Sequence, residues 1–462
     1  MDETAQQERL RNLPSVDKVL SDLKIASLLE KVPRQIVLNT IRDYLENLRS
    51  QIVGGSDKEF DIESLAKTIE QHKRLSLRRA INGIGVVLHT GLGRAPLSKT
   101  AQAALIEVSE NFSNLAIDLE NGRRAERYFH VENLLRDITG AESALVVNNN
   151  AAATMLILNT LAENREVVIS RGQLVEIGGA FRMPDVMKRS NAIMKEVGTT
   201  NRTHLRDYAA AINEKTGLII RVHMSNYRII GFTKEVSLED LVALGRKHNI
   251  PVVDDLGSGA FIDLSKFGLP KEPMVQESIG AGADIICFSG DKLIGGPQCG
   301  IIVGKKQYID AMKKNPLTRA LRCGKLTYTA LEATLRLFLD EEKLLKGHAL
   351  LRILLKPINQ MEKEAKSLYK KSQVLFGDEV QMTIKDSLSE IGGGSLATES
   401  MPTKVLAIKP KKISVEALAK KMRLYDPPVF GRIENDEYLL DFRTIRSDEI
   451  ATIANALKSS LS

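Results

Sequence analysis

The chain reads IPVVDDLGSGA at residues 250–260 and DIICFSGDKLIGGPQCGIIVG at residues 284–304. Each stretch contains a short apolar run that ends in polar residues and glycines, which is typical of a strand buried in a parallel sheet. The first run ends at Asp254 and Asp255, and the second is followed by Lys292. Two acids at the end of an apolar strand are costly to bury without a partner, so the pair indicates a bound group.

The alternation of strands and helices continues through the centre of the chain. From about residue 140, apolar runs alternate with helix-length segments such as residues 151–164 and 237–249. Parallel strands need such crossovers between them, so we predict an α/β fold with a mainly parallel sheet in a large domain over residues 91–335. The apolar runs include SALVV, EVVIS, GLIIRVH and GIIVG.

A helical pattern precedes the sheet. Ile62, Leu65 and Ile69 recur at the spacing of one helix face. Residues 1–70 therefore predict an N-terminal helical domain, and residues 71–90 predict a linker between this domain and the sheet.

A second, smaller domain follows the sheet. Residues 330–355 predict one long, charged helical stretch. The stretches TKVLAIKP and EYLLDFRTI then give new strand signals. We therefore predict a smaller C-terminal α/β domain over residues 336–462.

Composition indicates a soluble protein of a reducing compartment. Lys and Arg number 65 against 58 Asp and Glu, and the resulting charge of +7 mildly favours an anionic partner, although a solvated basic face is the commoner explanation. Cys287, Cys299 and Cys323 lack CxxC spacing and indicate neither disulfides nor a zinc site. The polar N-terminus and the absence of a long apolar run predict a cytoplasmic protein without a membrane span.

Three features occur in the order that pyridoxal-phosphate enzymes of the aspartate-aminotransferase class place along such a sheet. The first is a strand, a polar turn and a helix, whose free N–H groups and dipole receive the cofactor phosphate. Here Asn149 and Asn150 belong to the turn, and the small Ala151 and Ala152 let the backbone approach a phosphate. An Asn-capped core helix remains the alternative for this stretch taken alone.

The second and third features are an aspartate and a lysine. An aspartate at the end of a buried strand keeps the pyridine nitrogen protonated, and Asp254 and Asp255 both stand at that place. Lys292 comes 37 residues after Asp255, and Ser289 offers a hydroxyl to the phosphate three residues earlier. A single lysine is most often a surface residue. The order of all three features nevertheless predicts that Lys292 holds pyridoxal phosphate.

Long, specific stretches carry a family resemblance. They include INGIGVVLHTGLGRAPLS, GRRAERYFHVENLL, VHMSNYRIIGFT, FSGDKLIGGPQCGIIVGKK, GGGSL and PPVFGRIENDEYLLDFRT. Through them the chain resembles, nearly end to end, the bacterial selenocysteine synthases, the L-seryl-tRNA(Sec) selenium transferases. The resemblance implies a fold-type-I pyridoxal-phosphate enzyme. It also implies that β-elimination of the serine hydroxyl from seryl-tRNA(Sec) gives aminoacrylyl-tRNA, to which selenium adds from selenophosphate.

The same resemblance implies an assembly and roles for residues. It implies a homodecamer built as a ring of dimers, with tRNA recognition by the N-terminal helical domain. SGDKL makes Lys292 the cofactor lysine with Asp291 beside it, and DLGSG makes Asp255 the pyridine partner. Arg94 and Arg127 match two arginines that bind the selenophosphate-like anion, a task that suits forked guanidinium donors. For either arginine alone, a surface salt bridge is the commoner explanation.

Two other functions remain open from the residues. One is a small-molecule pyridoxal-phosphate lyase on the same scaffold, for which the N-terminal helical domain has no obvious use. The other is a non-catalytic tRNA-binding protein, which the intact Lys292 disfavours. Residues 305–325 carry seven basic residues and one acid. They either line the approach of tRNA or form a solvated face.

Overall fold

The structure is a computed structural model that describes residues 3–73, 75–179, 181–376, 380–395 and 399–461. Leu396 of the GGGSL stretch lies outside the described residues. The chain divides into two compact units, Met1–Ala80 and Ile81–Ser462. Each unit has its own apolar core.

The first unit is helical, which confirms the prediction for the N-terminal region. Ser15, Asp22 and Asp61 cap three of its helices by accepting a hydrogen bond from a backbone N–H of the first turn. Its described helices are α1 Glu3–Arg11, α2 Val16–Leu20, α3 Leu23–Leu29, α4 Arg34–Val53 and α5 Ile62–Gln71.

The second unit contains the remaining helices and all the described strands. Its described helices are α6 Lys99–Glu110, α7 Phe129–Thr139, α8 Asn150–Ala162, α9 Met183–Arg189, α10 Leu205–Ala211, α11 Leu238–His248, α12 Val275–Ala281, α13 Lys306–Lys314, α14 Leu317–Leu321, α15 Lys325–Leu335, α16 Glu341–Gly347, α17 Ala349–Leu354, α18 Ile358–Phe376, α19 Val415–Leu424 and α20 Ile450–Leu461. Its described strands are β1 Ile81–Gly83, β2 Ser143–Val147, β3 Glu166–Ser170, β4 Glu176–Ile177, β5 Phe181–Arg182, β6 Ile193–Val197, β7 Thr216–Val222, β8 Val252–Gly257, β9 Ile285–Ser289, β10 Gly300–Gly304, β11 Val380–Glu390, β12 Ser400–Pro410, β13 Val429–Glu434 and β14 Glu437–Asp441.

A seven-stranded sheet forms the centre of this unit, in the order β2-β10-β9-β8-β7-β3-β6. Strand β10 pairs antiparallel with β2 and β9, and the other pairs are parallel. Both faces are covered by apolar clusters, which explains why the central strands are apolar throughout. The prediction of a mainly parallel α/β sheet is therefore confirmed.

A five-stranded sheet, in the order β1-β13-β14-β12-β11, forms the smaller α/β part of the chain. Two sequence expectations need correction here. Strand β1 pairs in parallel with β13, so the expected linker over residues 71–90 contains a strand of this sheet. The helical stretch over residues 330–355 is not continuous, because Asp340 and His348 act as N-caps that begin α16 and α17.

A buried ion pair joins two central strands of the large sheet. Arg221 on β7 lies directly opposite Asp254 on β8. Its Nε and Nη2 donate hydrogen bonds of 2.7 and 2.8 Å to the two carboxylate oxygens, and Ser278 Oγ donates a third of 2.6 Å. Asp254 is fully buried. Its charge is therefore neutralised inside the sheet.

We predict that Arg221→Met lowers the free energy of unfolding by about 3–5 kcal/mol, because it leaves the buried Asp254 charge uncompensated. Chemical denaturation followed by circular dichroism measures the loss. Arg171→Met is the matched control, because Arg171, just after β3, pairs with Glu196 of β6 at the exposed surface and should change stability little. Equal effects of the two substitutions would contradict the role of the buried pair.

Candidate active site

A cavity of about 270 Å³ lies where strands β7, β8 and β9 end. It brings together most of the site residues that the sequence predicts. A larger cavity of about 730 Å³ lies near Lys356 and Arg443, but none of the predicted site residues line it. Arg127 and Ala152 are not among the lining residues of the smaller cavity. The predicted residues that line it are Arg94, Asn149, Asn150, Ala151, Asp255, Ser289, Asp291 and Lys292.

The turn between β2 and α8 presents the start of a helix to the cavity. Asn149 is the N-cap of α8, and its Oδ1 accepts a hydrogen bond of 2.8 Å from the N–H of Ala152. Strand β10 approaches the turn closely, since a Cβ on Gly300 would lie 2.1 Å from the carbonyl oxygen of Asn149. The helix start offers N–H groups and a positive dipole end to an anion. Asn149 also caps the helix, which was the alternative interpretation of this stretch from the sequence.

The two acids of β8 lie on opposite faces of the sheet, as neighbouring strand residues do. Asp254 binds Arg221, whereas Asp255 lines the cavity and is 4% exposed. The Asp255 carboxylate accepts hydrogen bonds of 2.9 Å from Asn150 Nδ2 and 3.1 Å from Thr154 Oγ1. Burial raises the pKa of Asp255, and these two hydrogen bonds oppose the rise. Asp255 is therefore the acid that faces a group bound in the cavity.

Lys292 is buried, with 5% of its surface exposed. Its Nζ donates a hydrogen bond of 3.2 Å to the carbonyl oxygen of Gly394. Burial, followed by the positive charge of Arg94, lowers the pKa of Lys292 to about 8. The carboxylates of Asp255 and Asp291 act in the opposite direction. A lysine amine with a pKa this low is partly neutral near pH 7, so it can act as a nucleophile or a base.

Arg94 is held by Asp291 and by a glycine loop that follows strand β11. Its Nε lies 2.9 Å from Oδ2 of Asp291, and its Nη1 donates a hydrogen bond of 3.2 Å to the carbonyl oxygen of Gly393. All three residues of 392–394 have positive φ, and a Cβ on Gly393 would lie 2.4 Å from Arg94 Nη1. Glycine is therefore required for the loop to reach Arg94 and Lys292.

Arg127 lies in a separate arginine cluster. Its Nη1 donates a hydrogen bond of 3.1 Å to the carbonyl oxygen of Cys323. Its positive charge lowers the pKa of the exposed Arg322, with further contributions from burial and from two neighbouring arginines. The structure therefore does not bring Arg127 onto the cavity wall with Arg94. The cluster comprises Arg124, Arg127, Arg319 and Arg322.

Sequence reasoning missed several residues of the cavity wall. His223, Ser225 and Gln298 line it beside the predicted set. His223 follows the last residue of β7, and its backbone N–H donates a hydrogen bond of 2.9 Å to the carbonyl oxygen of Asp255. The sequence signal for His223 was its position directly after the apolar run GLIIRV. Because neighbouring parallel strands end at the same edge of a sheet, that position predicts a side chain near Asp255.

The residues of this cavity fit pyridoxal phosphate. The start of α8 suits the phosphate, Asp255 suits the ring nitrogen, and Lys292 suits the carbonyl carbon. Asn150 Oδ1 is buried and has no hydrogen-bond partner among the described residues, which leaves an acceptor for a bound group. In the part of the chain that the structure describes, no cluster of three or more His, Cys, Asp or Glu side chains could hold a metal ion. No helix there is long and apolar enough to cross a membrane.

Comparison with known proteins gives consistent matches over nearly the whole chain. A family model described as L-seryl-tRNA selenium transferase matches residues 80–446, and one described as selenocysteine synthase N terminal matches residues 10–49. The L-seryl-tRNA(Sec) selenium transferase of Alkaliphilus metalliredigens is 47% identical over 459 residues, which cover 97% of this chain and 98% of that protein. The protein of the same name from Alkaliphilus oremlandii is 48% identical over 463 residues, which cover 96% and 97%.

A solved structure supports the fold. The chain aligns with a D-glucosaminate-6-phosphate ammonia-lyase at a TM-score of 0.58 and 18% identity, covering 83% of this chain and 96% of the lyase. At that identity the likeness concerns the fold alone. The fold class predicted from the sequence is thereby confirmed.

We predict that the rate at which Lys292 reacts with an added aldehyde, pyridoxal phosphate, rises with pH through about 8 and levels off above it, because only the neutral amine is nucleophilic. Arg94→Met should move the midpoint to higher pH, since it removes a positive charge that lowers the pKa. Arg171→Met, distant from the cavity, is the control. Stopped-flow absorption at a series of pH values measures the midpoint, and an unchanged midpoint in Arg94→Met would refute the electrostatic coupling.

Proposed function

This chain belongs to the L-seryl-tRNA selenium transferase family, and we propose that it converts seryl-tRNA(Sec) to selenocysteyl-tRNA(Sec) with selenophosphate as the selenium donor. One observation carries the chemical part of the proposal. A buried lysine of lowered pKa, Lys292, shares a cavity with a helix start, a buried acid and an arginine. These are the groups needed to hold a phosphorylated carbonyl cofactor and an anionic donor.

Pyridoxal phosphate is the cofactor, and when bound it supplies an electron sink for charge that develops at the seryl Cα. Lys292 holds its carbonyl carbon. The backbone of Asn149, Asn150 and Ala151, together with the Ser289 hydroxyl, binds its phosphate. Asp255 keeps its ring nitrogen protonated.

The side chains of this chain then act on the seryl group and the donor. Lys292, displaced by the seryl amino group, takes the Cα proton as a neutral amine. The β-hydroxyl leaves Cβ as water, selenium bonds to Cβ, and the phosphoryl group of the donor passes to water as phosphate. Arg94 binds the donor anion through its forked N–H groups, and Asp291 fixes the guanidinium in place. The assignment of Arg127 to the same donor rests on the family resemblance, because Arg127 lies outside the cavity wall.

The substrate is a large anion, and several features favour its binding. The net charge is +7, and arginines cluster around Arg127. Residues 1–70 recognise tRNA(Sec) in this proposal, and the match of residues 10–49 to the selenocysteine synthase N-terminal family supports that role. The active form is a homodecamer, a ring of dimers, in the cytoplasm.

We predict that the purified protein, loaded with pyridoxal phosphate, forms selenocysteyl-tRNA from seryl-tRNA(Sec) and selenophosphate. Lys292→Ala should form none, because it lacks the group that holds the cofactor and takes the Cα proton. Lys366→Ala is the matched control, since Lys366 is exposed and pairs with Glu362. Chromatography of the amino acid released from the tRNA measures the product. Breakdown of a free amino acid without tRNA, and no selenocysteine, would instead favour the small-molecule lyase.

We predict that Arg94→Ala raises the selenophosphate concentration needed for half-maximal product by about one to two decades, because a hydrogen bond to a charged group contributes about 1.5–3 kcal/mol. Arg94→Lys should restore only part of the loss, since an ammonium lacks the fork. Arg127→Ala should act in the same direction. Selenocysteyl-tRNA formation against donor concentration measures the effect. An unchanged half-saturation point in either Ala variant removes that arginine from the donor site.

A further inference from the structure

His223 lines the cavity beside a buried acid that the proposed chemistry has not used. Its Nε2 lies 3.6 Å from Oε1 of Glu272, which is only 3% exposed. The hydroxyl of Ser258, itself 1% exposed, donates a hydrogen bond of 2.5 Å to the same oxygen. Glu272 Oε1 is therefore the common neighbour of the Ser258 hydroxyl and the His223 ring.

The burial of Glu272 requires that its carboxylate be compensated by neighbouring groups. A buried carboxylate is costly unless it meets a hydrogen-bond donor and an opposite charge. Ser258 supplies the hydrogen bond, and among the described residues the ion-pair partner of Glu272 is His223. The carboxylate thus faces the imidazole at ion-pair distance. With Nε2 turned to Glu272, Nδ1 is the ring nitrogen available to a substrate.

The proposed reaction needs an acid at this place. Hydroxide is a poor leaving group, so loss of the serine β-hydroxyl requires a proton on the departing oxygen. Lys292 is the base for the Cα proton, and Asp291 is engaged by Arg94. His223 is the one histidine that lines the cavity. Among the ionisable side chains that line the cavity, its imidazole is therefore the one left to serve as the acid.

We infer that His223 is the acid that protonates the departing hydroxyl, and that Glu272 is a positioning residue that orients the imidazole. This rests on the proposed function. Lys292 takes the Cα proton, and the electron pair of that bond forms the Cα–Cβ double bond. The Cβ–O bond breaks, its oxygen takes the proton of His223 Nδ1, and water departs. The neutral imidazole then regains a proton from solvent.

The test compares two leaving groups in the loaded enzyme. Seryl-tRNA(Sec) loses hydroxide, which needs a proton, whereas 3-chloroalanyl-tRNA(Sec) loses chloride, which does not. His223→Asn should slow product formation from seryl-tRNA by about 10²–10⁴-fold, the usual contribution of a general acid, but slow the chloro substrate only slightly. Glu272→Gln should give a smaller loss with the same selectivity, because its amide oxygen still accepts from Ser258 while the charge is gone. Visible absorption of the bound cofactor and binding of seryl-tRNA should stay unchanged in both variants.

His248→Asn is the matched control, since His248 is exposed on α11 and should affect neither substrate. His223→Gln serves as a second variant if His223→Asn does not fold. Parallel losses with both substrates would overturn the inference, because they indicate a structural role alone. Unchanged rates with both would overturn it too. Neither result touches the proposed function, which the wild-type conversion of seryl-tRNA tests separately.

Discussion

The burial of charge at the end of strand β8 is the constraint from which the arrangement of the large sheet follows. Asp254 and Asp255 are adjacent, so a strand must send their side chains to opposite faces. Arg221 neutralises the first from the neighbouring strand. The second has only neutral hydrogen-bond donors and the amine of Lys292 to compensate it. Asp254 thus joins two strands through its ion pair. Asp255 is less fully compensated, and its carboxylate can bind a positively charged group where the strands end.

Close backbone approach is the second condition for this site. Gly300 lets β10 run against the turn before α8, and Gly393 lets the loop after β11 reach Arg94. In both places a side chain would collide with a backbone or guanidinium atom. The glycines therefore fix the distances between groups that lie far apart in the sequence. The cavity is built by contact between strands, turns and loops rather than by any one segment.

The sequence predicted the parts of the fold whose signals are local. Strands β8 and β9 occur where their apolar runs predicted them, and Lys292 and Asp255 line one cavity. Strands β11 and β13 were missed because they are half-buried and lack continuous apolar runs. Glu272 was missed for another reason, since it gains its role only from contact with His223, 49 positions earlier. Long-range contacts of that kind leave no pattern in the sequence.

The hydrogen bond from Lys292 to Gly394 ties this lysine to a loop whose ordering costs conformational entropy, because three consecutive glycines lose much freedom on folding. A carbonyl group bonded to Nζ would remove the ammonium that donates to the loop. The occupancy of Lys292 and the order of the loop are then linked, each changing the equilibrium of the other by the same factor. Any ligand that orders the loop therefore changes the affinity of Lys292 for a carbonyl compound.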